Sequence, residues 1–157
     1  MKQTVVITGA SRGIGRAVAL AFAEKSASKN NHEEYNIFVN CAKNSELLEN
    51  VKKQIRDLGV CCESFTGDIS NYNTAMEMFD EVHRHFGNVD ILVNNAGLIK
   101  RNDAIDFTED EWDSVIQVNQ KMVFFLSQAF AKQYIKQGHG GKIININSML
   151  SYQGGIR

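Results

Sequence analysis

Residues near the N-terminus, Thr8-Gly9-Ala10-Ser11-Arg12-Gly13-Ile14-Gly15, combine types and spacing suited to holding a phosphate. They follow the apolar run Val5, Val6 and Ile7 and open a helical pattern. A helix start offers unpaired N–H groups and the positive end of its dipole, so an anion binds there wherever no side chain blocks the approach. Gly9 suits a sharp turn, Gly13 lets backbone lie against a pyrophosphate, and Gly15 lets the helix pack closely on its strand. A second apolar run, residues 89–93, ends in Asn94-Asn95-Ala96-Gly97. Both motifs fall at the C-terminal ends of strands, where open α/β sheets bind ligands. A glycine cluster that only marks a turn is the competing reading.

Three further positions carry chemistry. Asp68 ends a strand pattern in Thr66-Gly67-Asp68-Ile69-Ser70, where a carboxylate can also serve the N–H groups of a helix start. Asn119 falls on an apolar helix stripe with Trp112, Val115, Met122, Val123 and Leu126. A buried asparagine there needs partners for its amide, from the core or from something it holds. Ser148 closes the strand-like run Lys142-Ile143-Ile144-Asn145-Ile146-Asn147.

The end of the second strand pattern reads Val39-Asn40-Cys41-Ala42-Lys43, with no acidic residue before Glu46. An acid at that place would bind a ribose 2′-OH and repel a 2′-phosphate. Its absence, with Arg12 in the glycine turn as a phosphate partner, favours NADP(H) over NAD(H), with NAD(H) still possible. Arg12 as a plain solvated turn residue is the alternative.

Strand patterns at about 3–8, 35–41, 60–66, 89–94 and 142–148 alternate with helical patterns at about 13–27, 45–58, 71–86 and 108–137. Strict βαβα alternation predicts an α/β fold, a doubly wound parallel sheet of Rossmann-like strand order 3-2-1-4-5, in one nucleotide-binding domain over residues 1–157. Ser70 is expected to cap the third helix and Gly87 to end it, and Thr108 with Glu111 makes a capping box for the fourth. Residues 26–34, polar and without glycine, predict an exposed, mobile loop.

A hydrophobic share of 43% with a net charge of -1 and no basic run argues against nucleic-acid or anionic-membrane surfaces. No apolar run approaches the roughly 20 residues that span a bilayer, and no signal-peptide pattern follows Met1, so a cytoplasmic location is expected. Cys41, Cys61 and Cys62 form no C-x-x-C pair and read as small buried residues in a reducing compartment. His83 and His85 point to different helix faces, so no metal is expected.

The Gly-x-x-x-Gly-x-Gly spacing of Gly9, Gly13 and Gly15, together with Asn94-Asn95-Ala96-Gly97, resembles the short-chain dehydrogenase/reductase family. The resemblance implies cofactor contacts at Gly9, Ser11, Arg12, Gly13, Ile14, Gly15, Asn94, Ala96 and Gly97. It makes Asp68 the acceptor of the adenine amino group, helped by the backbone of Ile69. Asn119 matches the active-site asparagine that holds a water in a proton relay. Ser148 matches the serine that orients a substrate carbonyl. The activity implied is hydride transfer between nicotinamide and a carbonyl or secondary alcohol, in a homo-oligomer, a tetramer by resemblance, when full length.

Residues 1–97 resemble the 3-oxoacyl-acyl-carrier-protein reductases. Residues 98–157, through Leu98-Ile99-Lys100-Arg101, Gly140-Gly141-Lys142 and the segment from Ser148 to the end, resemble 2-deoxy-D-gluconate 3-dehydrogenase and 2-dehydro-3-deoxy-D-gluconate 5-dehydrogenase. The small-molecule substrate expected is therefore a keto-sugar acid, whose carboxylate Lys100, Arg101 and Arg157 could face, with 3-oxoacyl thioesters as alternative. These three cations as solvated surface charges is the plain reading. The family's catalytic tyrosine lies about a dozen residues past the serine, with a lysine four residues after it. No tyrosine here has that lysine, so the chain is expected to be the N-terminal portion of a member, ending before a sixth strand, and inactive as it stands. A non-catalytic nucleotide-binding module is the rival from another class.

Overall fold

Alternate residues of the central strands feed two cores on opposite faces of one sheet, and that alternation positions everything above it. The computed structural model describes residues 2–28 and 33–151. Its strands are β1 (Gln3–Ile7), β2 (Tyr35–Cys41), β3 (Cys62–Thr66), β4 (Ile91–Asn94) and β5 (Lys142–Asn145), all parallel, in the order β3-β2-β1-β4-β5. The helices are α1 (Gly13–Ala27), α2 (Ser45–Asp57), α3 (Tyr72–Phe86), α4 (Glu109–Ile116) and α5 (Val123–Gln137).

Val5, Ile7, Ile37 and Val39 pack with Ala19 and Ala23 of α1 and Leu48, Val51 and Ile55 of α2. Val6, Phe38 and Leu92 face the other way, onto Ala75, Met78 and Val82 of α3 and Met122, Leu126 and Phe130 along the long helix. Phe130 is fully buried and meets Phe79 edge-on at 5.1 Å, so truncating it to alanine is expected to cost about 3–5 kcal/mol. At the β3 edge, Glu63 pairs with Lys52 at 2.9 Å and Arg56 at 2.6 Å, a charged rim of the kind that discourages edge-to-edge pairing.

The doubly wound order 3-2-1-4-5 is as the alternation predicts, and several local expectations are corrected. Asn71, not Ser70, caps α3, its side chain accepting from the N–H groups of Asn73 at 2.9 Å and Thr74 at 3.2 Å. Asparagine fits this position as well as serine, and the sequence offers both. Gly87 ends α3, and the Thr108–Glu111 capping box is present. Cys41 and Cys62 are buried, but Cys61 is exposed, since it precedes β3 rather than lying in it. Strand β5 ends at Asn145, short of the expected Ser148, although the Ile146 N–H still donates to the Asn94 carbonyl at 2.9 Å. A short 3-10 turn, Met149–Ser151, follows.

The expected single helix over 108–137 is broken in its hydrogen bonding. A π-helical segment, Gln117–Met122, separates α4 from α5. Such a segment inserts residue length into the spiral and shifts the phase of what precedes it. The apolar stripe therefore divides: α4 buries none of its residues, whereas Met122, Leu126 and Phe130 face the sheet. Of the expected loop over 26–34, Ser26 and Ala27 belong to α1, and the Ser26 hydroxyl accepts from the Tyr35 N–H at 2.9 Å. Residues 29–32 lie outside the described residues, as do Tyr152 and Arg157.

Candidate functional site

The turn after β1 and the turn after β4 are locked together by one hydroxyl and one amide. The buried Thr8 hydroxyl donates to the Val93 carbonyl at 3.3 Å and accepts from the backbone N–H groups of Asn95 and Ala96, both at 3.0 Å. In return, Asn95 Nδ2 donates to the carbonyls of Thr8 at 2.9 Å and Gly9 at 3.1 Å. Gly9 has φ +66, and a Cβ there would lie 2.8 Å from Ala96 Cα, so this contact admits only glycine. Gly15 is buried against the Gly9 carbonyl and the Asn95 amide, so its missing side chain serves this turn-to-turn contact rather than packing on the strand as expected.

Gly13 differs. Its φ is +59, and nothing stands within 4 Å of where a Cβ would be. Arg12 is the N-cap of α1 without a side-chain capping bond, the first turn holds no acid, and the Arg12 and Ile14 side chains are exposed. The first N–H groups of α1 thus open on uncluttered space, with Ser11 half-buried beside them. A phosphate-bearing cofactor fits this cradle on steric and electrostatic grounds.

Across β2, the buried Asn40 amide donates to the carbonyls of Phe65 at 3.2 Å and Gly67 at 3.1 Å, which ties the end of β3 to that of β2. Asp68 follows, exposed, its Oδ1 accepting from the Ser70 N–H at 3.0 Å, while Ile69 is buried. The carboxylate holds the approach to α3, and its other oxygen has no hydrogen-bond partner among the described residues.

On the other side of Asn94-Asn95-Ala96-Gly97 lies an open cleft of about 1370 Å3, whose lining includes Leu98, Arg101, Trp112, Asn119, Asn147 and Ser148. The cleft thus brings together the two expected catalytic residues and Asn94, Ala96 and Gly97, while the glycine turn lies outside it. Asn94 forms part of its floor: Nδ2 donates to Ser127 Oγ at 3.1 Å and Asn145 Oδ1 at 2.9 Å, joining β4 to α5 and β5. Asn119 is exposed in the cleft, not buried in the core as expected, because the π-helical segment turns it away from the sheet. Its amide holds the Leu98 peptide at both ends. Ser148 is exposed, and its hydroxyl oxygen accepts from the Leu150 N–H at 3.2 Å. At the start of α4, the Glu111 carboxyl sits below the usual carboxylate range, chiefly through its bond from the Thr108 backbone, then through Asn102.

The residues that sequence reasoning misses are Thr8, Asn95 and Asn40, whose polar groups tie together the turns that shape the site. Their signal is polarity where strands are otherwise apolar: each is an amide or hydroxyl at a strand end, and buried groups of that kind need partners.

Known proteins match this architecture over nearly all of the chain. The family model described as short chain dehydrogenase matches residues 3–157. The 2-dehydro-3-deoxy-D-gluconate 5-dehydrogenase of Dickeya dadantii is 44% identical over 155 residues, covering 99% of this chain and 57% of the relative. A 3-oxoacyl-acyl-carrier-protein reductase of Staphylococcus epidermidis is 39% identical over 154 residues, covering 98% and 59%. Each group therefore matches both halves of the chain rather than one. A crystal structure of a short-chain type dehydrogenase/reductase from Mycobacterium marinum superposes with a TM-score of 0.88 at 31% identity, covering 99% of this chain and 57% of that one. The chain spans 57–59% of the length of the curated relatives named here. With residues 3–157 matched by the family model and the interlocked turns in place, the chain belongs to the short-chain dehydrogenase family.

Proposed function

We propose that this chain is the cofactor-binding part of an NAD(P)(H)-dependent oxidoreductase acting on a carbonyl or secondary alcohol. One observation carries the reading: an open helix N-terminus at Gly13–Gly15 is bolted, through Thr8 and Asn95, to the edge of the cleft that holds Asn119 and Ser148. In this reading the α1 N-terminus, Gly9, Ser11, Arg12, Gly13, Ile14 and Gly15 hold the phosphates, and Asp68 and Ile69 hold the adenine. Asn94, Ala96 and Gly97 border the nicotinamide. Bound nicotinamide supplies or accepts the hydride. Ser148 orients the substrate oxygen by hydrogen bonding, and Asn119 fixes the cleft wall and serves the proton relay.

NADP(H) is the favoured cofactor, supported by exposed Arg12 and by the lack of an acid between Asn40 and Ser45. The favoured substrate is a keto-sugar acid, supported by the Dickeya relative and by Lys100 and Arg101 in the loop after β4. The staphylococcal relative keeps a 3-oxoacyl thioester as the second reading. A homo-oligomer in the cytoplasm completes the proposal.

The test is turnover by the full-length protein, with either cofactor, of a 2-dehydro-3-deoxygluconate and of an acetoacetyl thioester. Sugar-acid turnover that collapses in Ser148→Ala supports the proposal. Thioester turnover alone reverses the substrate ranking, and cofactor binding without any hydride transfer favours a non-catalytic module.

A further inference from the structure

The segment over 98–107 leaves β4 as a loop yet is held at both ends. Its first peptide, at Leu98, is gripped by Asn119 through bonds of 2.8 and 2.9 Å. Asn102 Nδ2 donates to the Asp106 carbonyl at 3.0 Å and to Glu111 Oε2 at 3.3 Å, folding the segment back on the start of α4. Between these anchors stand two cations that line the cleft, Lys100 and Arg101.

The two are not equivalent. Lys100 exerts only a small pull on the Glu111 carboxyl, less than those of Thr108 and Asn102, and its ammonium is a compact point charge without a fork to match a carboxylate. Arg101 is exposed and has no side-chain partner among the described residues. Asp103 and Glu109 line the same cleft, which balances its overall charge. Glu109 stands in the first turn of α4, where the helix's positive end offsets it. Selection of an anion there must come from one placed group rather than from a general field. A guanidinium suits that role, because it stays charged and its fork matches a carboxylate through two parallel hydrogen bonds.

We propose that Arg101 is the specificity-determining residue that binds the substrate's carboxylate. The assignment rests on the keto-sugar-acid reading and adds to it the group that reads the acid. Because the loop backbone is held at Leu98 and Asn102, only the Arg101 side chain has to order on binding, and its contribution falls on affinity rather than on the chemical step.

The experiment uses the full-length enzyme, its cofactor, a 2-dehydro-3-deoxygluconate and the carboxamide of that acid. Arg101→Ala should raise KM for the acid about ten-fold or more, with kcat within about three-fold, and leave KM for the amide nearly unmoved. Arg101→Lys should fall between, and Lys100→Ala should shift KM for the acid by less than a third as much. An unchanged KM for the acid in Arg101→Ala, an equal rise for acid and amide, or a larger effect from Lys100→Ala overturns the assignment while wild-type turnover of the acid leaves the substrate reading standing. No wild-type turnover of the acid overturns both.

Discussion

Asn119 grips Leu98 with both ends of its amide, Oδ1 accepting from the Leu98 N–H at 2.8 Å and Nδ2 donating to the Leu98 carbonyl at 2.9 Å. The contact joins the π-helical segment to the loop that leaves β4, so the asparagine acts first on the shape of the cleft. Two exposed hydrogen bonds contribute about 0.5–1.5 kcal/mol each. Asn119→Ala should therefore speed hydrogen exchange at the Leu98 amide by roughly ten-fold or more while lowering global stability by no more than about 3 kcal/mol. Unaltered exchange at Leu98 would show that the loop is held by other means.

The glycines of the first turn should separate by their surroundings. Gly9→Ala places a Cβ 2.8 Å from backbone at Ala96 and strains a φ of +66, and neither strand end can retreat without breaking the Thr8 bonds. A loss of at least about 3 kcal/mol is expected. Gly13→Ala meets only the cost of its φ, +59, about 1–2 kcal/mol, because the space around it is open. Urea unfolding of both variants measures this directly, and equal losses would contradict it.

Much of this is legible in the sequence, and the reasons differ by element. Val5, Val6 and Ile7 announce a strand buried on both faces, and the order of alternating patterns leaves few topologies, so the sheet can be drawn from them. Gly9, Gly13 and Gly15 announce a turn and a helix start, but not which of them leaves room for a ligand. That depends on Ala96 and Asn95, far away in the chain. Periodicity misplaces Asn119 for a definite reason: it assumes 3.6 residues per turn throughout, and the π-helical segment at Gln117–Met122 breaks the assumption at that residue. Ser148 reads as a strand end because Ile146 extends the apolar alternation, whereas the strand itself stops at Asn145.

Arg12 should decide between the two cofactors. It is exposed at the N-cap of α1, without a side-chain capping bond. A guanidinium there gains paired, charge-assisted bonds from a 2′-phosphate and at most one weaker bond from a 2′-hydroxyl. In the full-length protein, Arg12→Ala should weaken NADP(H) about ten-fold or more and NAD(H) by less than about three-fold, by fluorescence titration. Tighter binding of NAD(H) by the wild type would overturn the preference.

Thiol chemistry should follow burial. Cys61 is exposed, whereas Cys41 and Cys62 are buried, so one of the three thiols should react quickly with Ellman's reagent at pH 8. Burial pushes the Cys62 thiol from its ordinary 9.0 up to about 12, against the opposing pull of Lys52 and Arg56. The folded state then keeps a proton that the unfolded state releases, so this stabilising difference is complete below about pH 9 and declines as pH rises toward 12. As pH rises above about 9, stability should fall in the wild type and fall less in Cys62→Val, while Tyr134, raised from 10.0 to about 12, contributes equally to both proteins. Identical slopes would show that another group titrates.

The last prediction concerns association. The run Met122-Val123-Phe124-Phe125-Leu126 carries more apolar surface than one sheet-facing stripe can bury, and the structure divides it. Met122 and Leu126 are inside, while Phe124 is 61% exposed. Phe124 meets Phe125 edge-on at 5.4 Å, and Phe125 meets Tyr72 of α3, itself 50% exposed, at 5.6 Å. A row of aromatic rings crossing two helices on the outer face is costly to leave in water and suits a symmetric contact with a second copy. In the full-length protein, Phe124→Glu should lower the assembly state in sedimentation velocity at about 10 μM while leaving the circular dichroism spectrum unchanged, because burying a carboxylate in such a contact costs several kcal/mol. A wild-type monomer at that concentration, or a variant that assembles as well as the wild type, would remove this face from the assembly.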